Sequence, residues 1–274
     1  MNMLKSLIKI AMMLVVTSNV LLGQFSGGAG TQASPYLIKT KADLMNIRDS
    51  FAVDKHYKLC NNIRDSLREP IPYLENSVFD GQGYKITLAI KNHREMTGLF
   101  AEAFNSTLRN IVVDGYIISD ALVSRFIGGI VGNTENTSVY NCVNLANITT
   151  DNACFAGIIG HCEYYETIKL ENNINLGTIK YKENGIRTTA ISGIIGHSFF
   201  RGNAAETKIK NNINAGFLTS DLVPDYYDYV ISGIVGLETI WIKYNSIIKN
   251  INTGVTIAPY IKQKIKGIAY SDID

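Results

Sequence analysis

The sequence predicts an all-β protein: a right-handed parallel β-helix of stacked coils, closed at its N-terminal end by a short helix. Three observations predict it. A glycine tetrapeptide recurs as Gly129–Gly132, Gly157–Gly160, Gly193–Gly196 and Gly233–Gly236, each copy enclosing two Ile or Val residues. A second phrase keeps step with it: Asn141-Cys142-Val143-Asn144, Asn172-Asn173-Ile174-Asn175, Asn211-Asn212-Ile213-Asn214 and a slipped Asn250-Ile251-Asn252. Between these phrases the apolar residues are Ile and Val in short runs broken by Gly and Asn, which suits a pleated surface and would break a helix. Successive tetrapeptides start 28, 36 and 40 residues apart, so the elements are fixed and the loops elastic, as in a solenoid.

In chain order, Lys5 and Lys9 precede the apolar run Ile10–Val16; a polar break at Thr17–Asn19, then Val20–Leu22 and the small Gly23, follow. That order reads as a signal peptide over residues 1–24, cleaved near Gly23 or Gln24, leaving 25–274 as one domain. The run is too short to span a bilayer comfortably, so no integral span is expected after cleavage. No cysteine lies just after it, which does not fit a lipoprotein attachment.

Residues 24–38 form a glycine-rich lead ending in a first strand over Pro35–Ile38. Lys41–Phe51 changes period, with Leu44, Ile47 and Phe51 on one face and Thr40 as N-cap; this helix is expected to cover the open end of the solenoid. From Tyr57 the text is β. Arg64–Glu75, with Pro70 and Pro72, reads as a polar excursion, and Val78–Ile86 contains a turn at Gly81-Gln82-Gly83. Met96–Ala101 and Asn110–Gly115 are degenerate early copies of the two phrases, and Gly267–Tyr270 is a last partial copy. The tetrapeptide should make a tight corner, its Ile or Val residues alternating inside and outside. The asparagines should bond from coil to coil as a ladder and accept left-handed backbone geometry.

Composition narrows the function classes. At 274 residues and 46% apolar side chains, the chain can bury a sizeable core. Its formal charge of +2 falls to zero once Lys5 and Lys9 leave with the signal, so nothing favours nucleic acid or anionic lipid. The four cysteines, Cys60, Cys142, Cys154 and Cys162, are too sparse for a disulfide scaffold and are expected as buried small hydrophobes; Cys154 and Cys162 are near enough in sequence to bridge. Neither a CxxC nor a zinc-spaced Cys/His cluster is present.

The tetrapeptide followed by Asn-x-x-Asn-x-Gly resembles the GLUG motif. The opening Gly30-Thr31-Gln32-Ala33-Ser34-Pro35-Tyr36-Leu37-Ile38, the helix with Leu44 and Ile47, and Phe79-Asp80-Gly81-Gln82-Gly83 resemble the start of GLUG-bearing, pectin-lyase-like β-helix proteins of Bacteroidales-type bacteria. The resemblance covers about residues 25 to 270 and implies an architecture, with most such proteins surface or secreted proteins without an assigned reaction. It departs in its longer loops and in having no C-terminal sorting module.

Parallel β-helices also include pectin lyases and polygalacturonases, which resemble one another in needing acid clusters on one face. No Asp-Asp pair or Asn-Thr-Asp stands here. Gly160-His161 and Gly196-His197 occupy one repeat position, preceded by Asn133 and followed by Leu237; without an acidic partner in the repeat they are expected as exposed corner residues, with no metal. Past the tetrapeptides stand Tyr164-Tyr165, Phe199-Phe200, and Trp241 with Tyr244, aromatics that could form a binding strip or cover the core edge. Tyr226-Tyr227-Asp228-Tyr229 is a further candidate loop. The expected function is an exported, cofactor-free, non-catalytic binding or adhesion protein, secreted or on the outer surface, whose loops meet a glycan or an extracellular protein. A polysaccharide lyase or glycoside hydrolase, and a structural surface component, are the alternatives.

Overall fold

A computed structural model of the protein describes residues 24–92, 94–119, 126–151, 154–166, 168–182, 190–200, 208–220, 230–239, 247–257, 265–266 and 269–271. It is a parallel β-helix. One coil shows the plan: Thr107–Arg109 on a first sheet, Val112–Ser119 on a second, Phe126–Gly128 on a third, Val131–Glu135 on a fourth, then Ser138–Tyr140 back on the first. The described strands of the four sheets number 8, 11, 6 and 7, and every strand pair among them is parallel. From Thr107 onward, loops absorb the changing repeat length at the turns from second sheet to third and from fourth sheet to first, while the first-to-second and third-to-fourth turns keep two residues each; in the coil before, the first-to-second turn takes four, Gly81–Tyr84.

The glycine tetrapeptide is the corner between the third and fourth sheets. Both of its central residues face inward: Ile130 and Val131, Ile158 and Ile159, Ile194 and Ile195, and Ile234 and Val235 are all fully buried. The expected alternation fails because the chain turns between the two residues instead of running on as a strand. Each buried pair stacks on the pair of the next coil, and burying one such side chain contributes about 1.5–3 kcal/mol.

The asparagine phrase turns the first sheet into the second, and its three asparagines have three jobs. Asn110, Asn141, Asn172 and Asn211 take left-handed backbone geometry, with φ of 54°, 56°, 58° and 56°, and their amides link coil to coil at 3.1–3.2 Å on the outside. The next position bonds inward: Asn173 Nδ2 donates to Val139 O, Asn212 Nδ2 to Leu170 O and Asn250 Nδ2 to Ile209 O. Cys142 holds this place one coil earlier, its Sγ 3.8 Å from Leu108 O, so a thiol stands in for an amide. The last position forms the inner ladder, Asn144 to Asn175 to Asn214 to Asn252, each bond 2.8 Å.

That inner ladder explains the glycines. A Cβ on Gly129, Gly157 or Gly193 would collide with the side chain of Asn144, Asn175 or Asn214, and one on Gly177, Gly216 or Gly254 would collide with the Asn amide of the preceding coil. The amide fills the space between two backbones, and only hydrogen fits beside it.

At the fourth-to-first turn a hydroxyl ladder does the same work. Ser77 N–H donates to Ser106 Oγ, and Ser106 N–H to Thr137 Oγ1, while Asn76, Asn105 and Asn136 just before them carry positive φ.

The N-terminal end departs in two places from what the sequence predicts. The helix is Lys41–Met45 alone, capped by Thr40 and Asp43, and Asp49–Phe51 is a separate 3-10 turn. Arg48 is extended and Asp49 left-handed, so the chain leaves the helix; Leu44 and Ile47 are nonetheless fully buried against the first coil. Residues 64–75 are not an excursion: Ile63–Leu67 and Ile71–Glu75 are strands that bury Ile63, Leu67, Ile71 and Leu74. Pro72 is tolerated because Ile71–Glu75 is an edge strand and its ring is exposed.

None of the four cysteines is joined in a disulfide; Cys142, Cys154 and Cys162 are buried and Cys60 is partly exposed. Burial pushes the Cys142 thiol up to about 12. Under native conditions a maleimide should therefore label one thiol, Cys60, and all four only after unfolding. Asn175→Ala should destabilise the fold by about 2–4 kcal/mol in urea titrations, by leaving buried amides of Asn144 and Asn214 short of a partner. Asn172→Ala, on the exposed ladder, should cost about 1 kcal/mol for its left-handed backbone; the reverse order would remove the inner ladder from its role.

Candidate functional site

Outward side chains of a β-helix line up in columns, because partners in register lie about 4.8 Å apart. On the first sheet one column reads Lys58, Asp80, Arg109, Tyr140, Glu171, Lys210. Its N-terminal part lines a groove of about 350 Å³. His56 and Gln82 stand beside it, and the glycine-rich lead contributes Gln32 and Pro35 to one lip.

Asp80 organises this groove. Burial alone would raise its pKa, but donors from Asn110 Nδ2 at 2.9 Å, Gln82 N–H at 3.0 Å and Arg109 Nε at 2.9 Å hold the carboxyl below its ordinary value. Arg109 in turn donates to Tyr140 Oη at 3.4 Å, so its guanidinium is fixed from two sides while its side chain remains 40% exposed. Fixed donors of this kind suit a planar anion or a sugar hydroxyl. Asp80 is the one carboxylate among the lining residues and is locked in its ionised form, which suits positioning better than proton transfer.

A second arrangement lies on the fourth sheet. There the column is Glu102, Asn133, His161, His197, Leu237. His161 is 8% exposed, not an open corner residue, and His197 is half-buried. The reason is the glycine corner: a Cβ on Gly160 would strike the backbone of Phe126 and Ile127, so its absence lets the third sheet fold close. The Phe126 ring then stacks on His161 with centroids 4.3 Å apart. The two imidazoles meet Nδ1 to Nδ1 at 3.1 Å, and Phe199 lies 6.3 Å beyond His197. Burial drives both rings to the neutral form, His161 down to about 3, with His197 adding to it, and His197 down to about 4.

The described aromatics past the tetrapeptides differ in exposure. Tyr164 faces the core at 1% exposure, because it falls on the inward phase of strand Ile159–Tyr164, whereas Tyr165 just beyond it is exposed. Phe199 is half-buried against His197, and Phe200 ends its strand in register with Tyr164. Trp241, Tyr244 and Tyr226–Tyr229 lie outside the described residues, as does the segment 1–23. Sequence reasoning missed the groove, since its residues are 22 to 31 positions apart and meet only through register. It also missed Phe126 as the partner of the histidines.

Comparison with known proteins adds little to this geometry. No family model matches the chain, and no solved structure matches it. A protein of Evansella cellulosilytica named "Putative Gly-rich membrane protein" is 31% identical over 133 residues, covering 42% of this chain and 15% of that relative's length. Among the described residues no helix is long and apolar enough to cross a membrane.

The neutral histidines give the fold a pH dependence. Unfolded histidine titrates near about 6.5, so below that pH the unfolded chain binds protons that the folded pair refuses, and stability falls as pH drops toward the folded values. The melting temperature should fall between about pH 7.5 and 5, where carboxylates hardly titrate. The double variant His161→Asn, His197→Leu should flatten that slope; an equal slope in both proteins would place the protonation elsewhere.

Proposed function

We propose that this chain is an exported, non-catalytic binding protein of the cell surface or surroundings, which holds a glycan in the groove of its first sheet. The observation that carries this reading is the pre-set Asp80–Arg109–Tyr140 arrangement in a groove of sugar size. Arg109 and Lys58 outweigh the single negative charge of Asp80, which favours a carboxylated sugar over a neutral one. Groups already locked by their neighbours lose little freedom on binding, so a shallow site can hold a ligand usefully. The repeat phrases support membership among GLUG-bearing solenoids, and the leader-like N-terminus and the name of the Evansella relative support a setting at the cell envelope.

A glycan array with the mature protein should retain acidic oligosaccharides above neutral ones. Arg109→Gln should weaken that binding by about tenfold or more with a stability change under about 1 kcal/mol, since the Arg109 side chain is 40% exposed and Asp80 keeps its donors from Asn110 and Gln82. An array on which no glycan is retained, or an Arg109→Gln protein that binds unchanged, would remove the groove from this role.

A further inference from the structure

We propose that His161 and His197 bind one first-row transition-metal ion of the Cu²⁺, Ni²⁺ and Zn²⁺ class through the Nδ1 atoms of both rings. The site is separate from the groove and does not depend on the glycan reading.

The geometry carries the argument. Metal–imidazole bonds of about 2.0–2.1 Å place two nitrogens about 2.8–3.0 Å apart at a right angle and about 3.3–3.4 Å apart at a tetrahedral angle. The observed 3.1 Å lies between the two. Both rings come from adjacent coils, Ile159–Tyr164 and Ile195–Phe200, whose register is fixed by strand pairing, so the separation is set by the backbone and not by a flexible loop. Phe126 stacks on His161 and holds its plane. Asn133 is next in the column, in register with His161, and its Nδ2 donates to Glu102 Oε1 at 3.4 Å. Among the described residues there is no group of three His, Cys, Asp or Glu around the pair, so water completes the shell.

The chemistry agrees. Neutral imidazole is the ligating form, and the two Nδ1 atoms already face each other across 3.1 Å. The pair without metal needs opposite tautomers to make an N–H···N bond; with metal, both protons sit on Nε2. Two imidazoles with oxygen donors suit the borderline ions, with Cu²⁺ the tightest.

The test uses the mature chain stripped of metal, with His56→Gln and His93→Gln to remove the other two of the four histidines. Titration with Cu²⁺, Ni²⁺ and Zn²⁺ should show one equivalent bound, with two nitrogen couplings in the Cu²⁺ electron paramagnetic resonance spectrum. His161→Asn and His197→Leu should each weaken binding by about tenfold or more. These replacements are the residues found at the same column position on the neighbouring coils, Asn133 and Leu237, so the fold should persist. Failure of the histidine-depleted protein to bind an equivalent, or survival of that equivalent in the double His161→Asn, His197→Leu protein, would overturn the proposal.

Discussion

The structure depends on a space too narrow for anything but an amide. Between the tetrapeptide corner on one side and the second sheet on the other, the side chains of Asn144, Asn175 and Asn214 touch backbone on both flanks and one another above and below. Asn144 shows how completely it is used: its Nδ2 donates to Ala146 O and to Asn175 Oδ1, while its Oδ1 accepts from Ala146 N–H. A buried amide with its bonds made is tolerable; one shifted by a residue along its strand would strand them. The ladder therefore fixes the register of each coil on the next. Apolar stacking supplies the greater stabilisation but discriminates poorly between neighbouring registers, since Ile and Val recur at every turn.

Much of this was legible in the sequence because Gly and Asn can be recognised in copies. The pairing of tetrapeptide with asparagine phrase is a steric pairing: glycine recurs where asparagine would otherwise collide. The ladder itself follows from the repeat, as does the start at Met96 and Asn110, which strand register places on the same columns. The hydroxyl ladder left a fainter trace. Asn76-Ser77, Asn105-Ser106 and Asn136-Thr137 recur 29 and 31 residues apart, but two-residue phrases of common polar types do not stand out against chance.

Errors cluster where local pattern and tertiary position disagree. Pro70 and Pro72 argue against a strand in isolation, yet an edge strand with an outward proline keeps its pairing. The amphipathic spacing from Leu44 to Phe51 argues for one helix, yet burial of Ile47 is achieved by a turn that abandons the helix at Arg48. For the site, the difficulty is of another kind. Asp80, Arg109 and Tyr140 belong to three coils, and no local pattern marks them as neighbours; only the register, itself set by the ladders, does so. Phe126 and His161 meet across a glycine corner for the same reason.

The outer asparagines connect the fold to the groove. Asn211 donates to Asn172, Asn172 to Asn141, Asn141 to Asn110, and Asn110 to Asp80, which accepts from Arg109. The carboxylate, from the neighbouring Arg109 column, thus accepts the last amide donor at the N-terminal end of the line. An amide there would accept one coil's donor and pass a donor on; a carboxylate only accepts, so it ends the line and has acceptor capacity left for a cation. That excess is what holds Arg109, and the left-handed backbone that each asparagine tolerates is what keeps the line straight. Changing the sign or length of the side chain at position 80 would therefore disturb the terminus of the ladder and the orientation of the guanidinium together. The same repetition that stacks the coils sets the Arg109 guanidinium in a fixed direction in the groove.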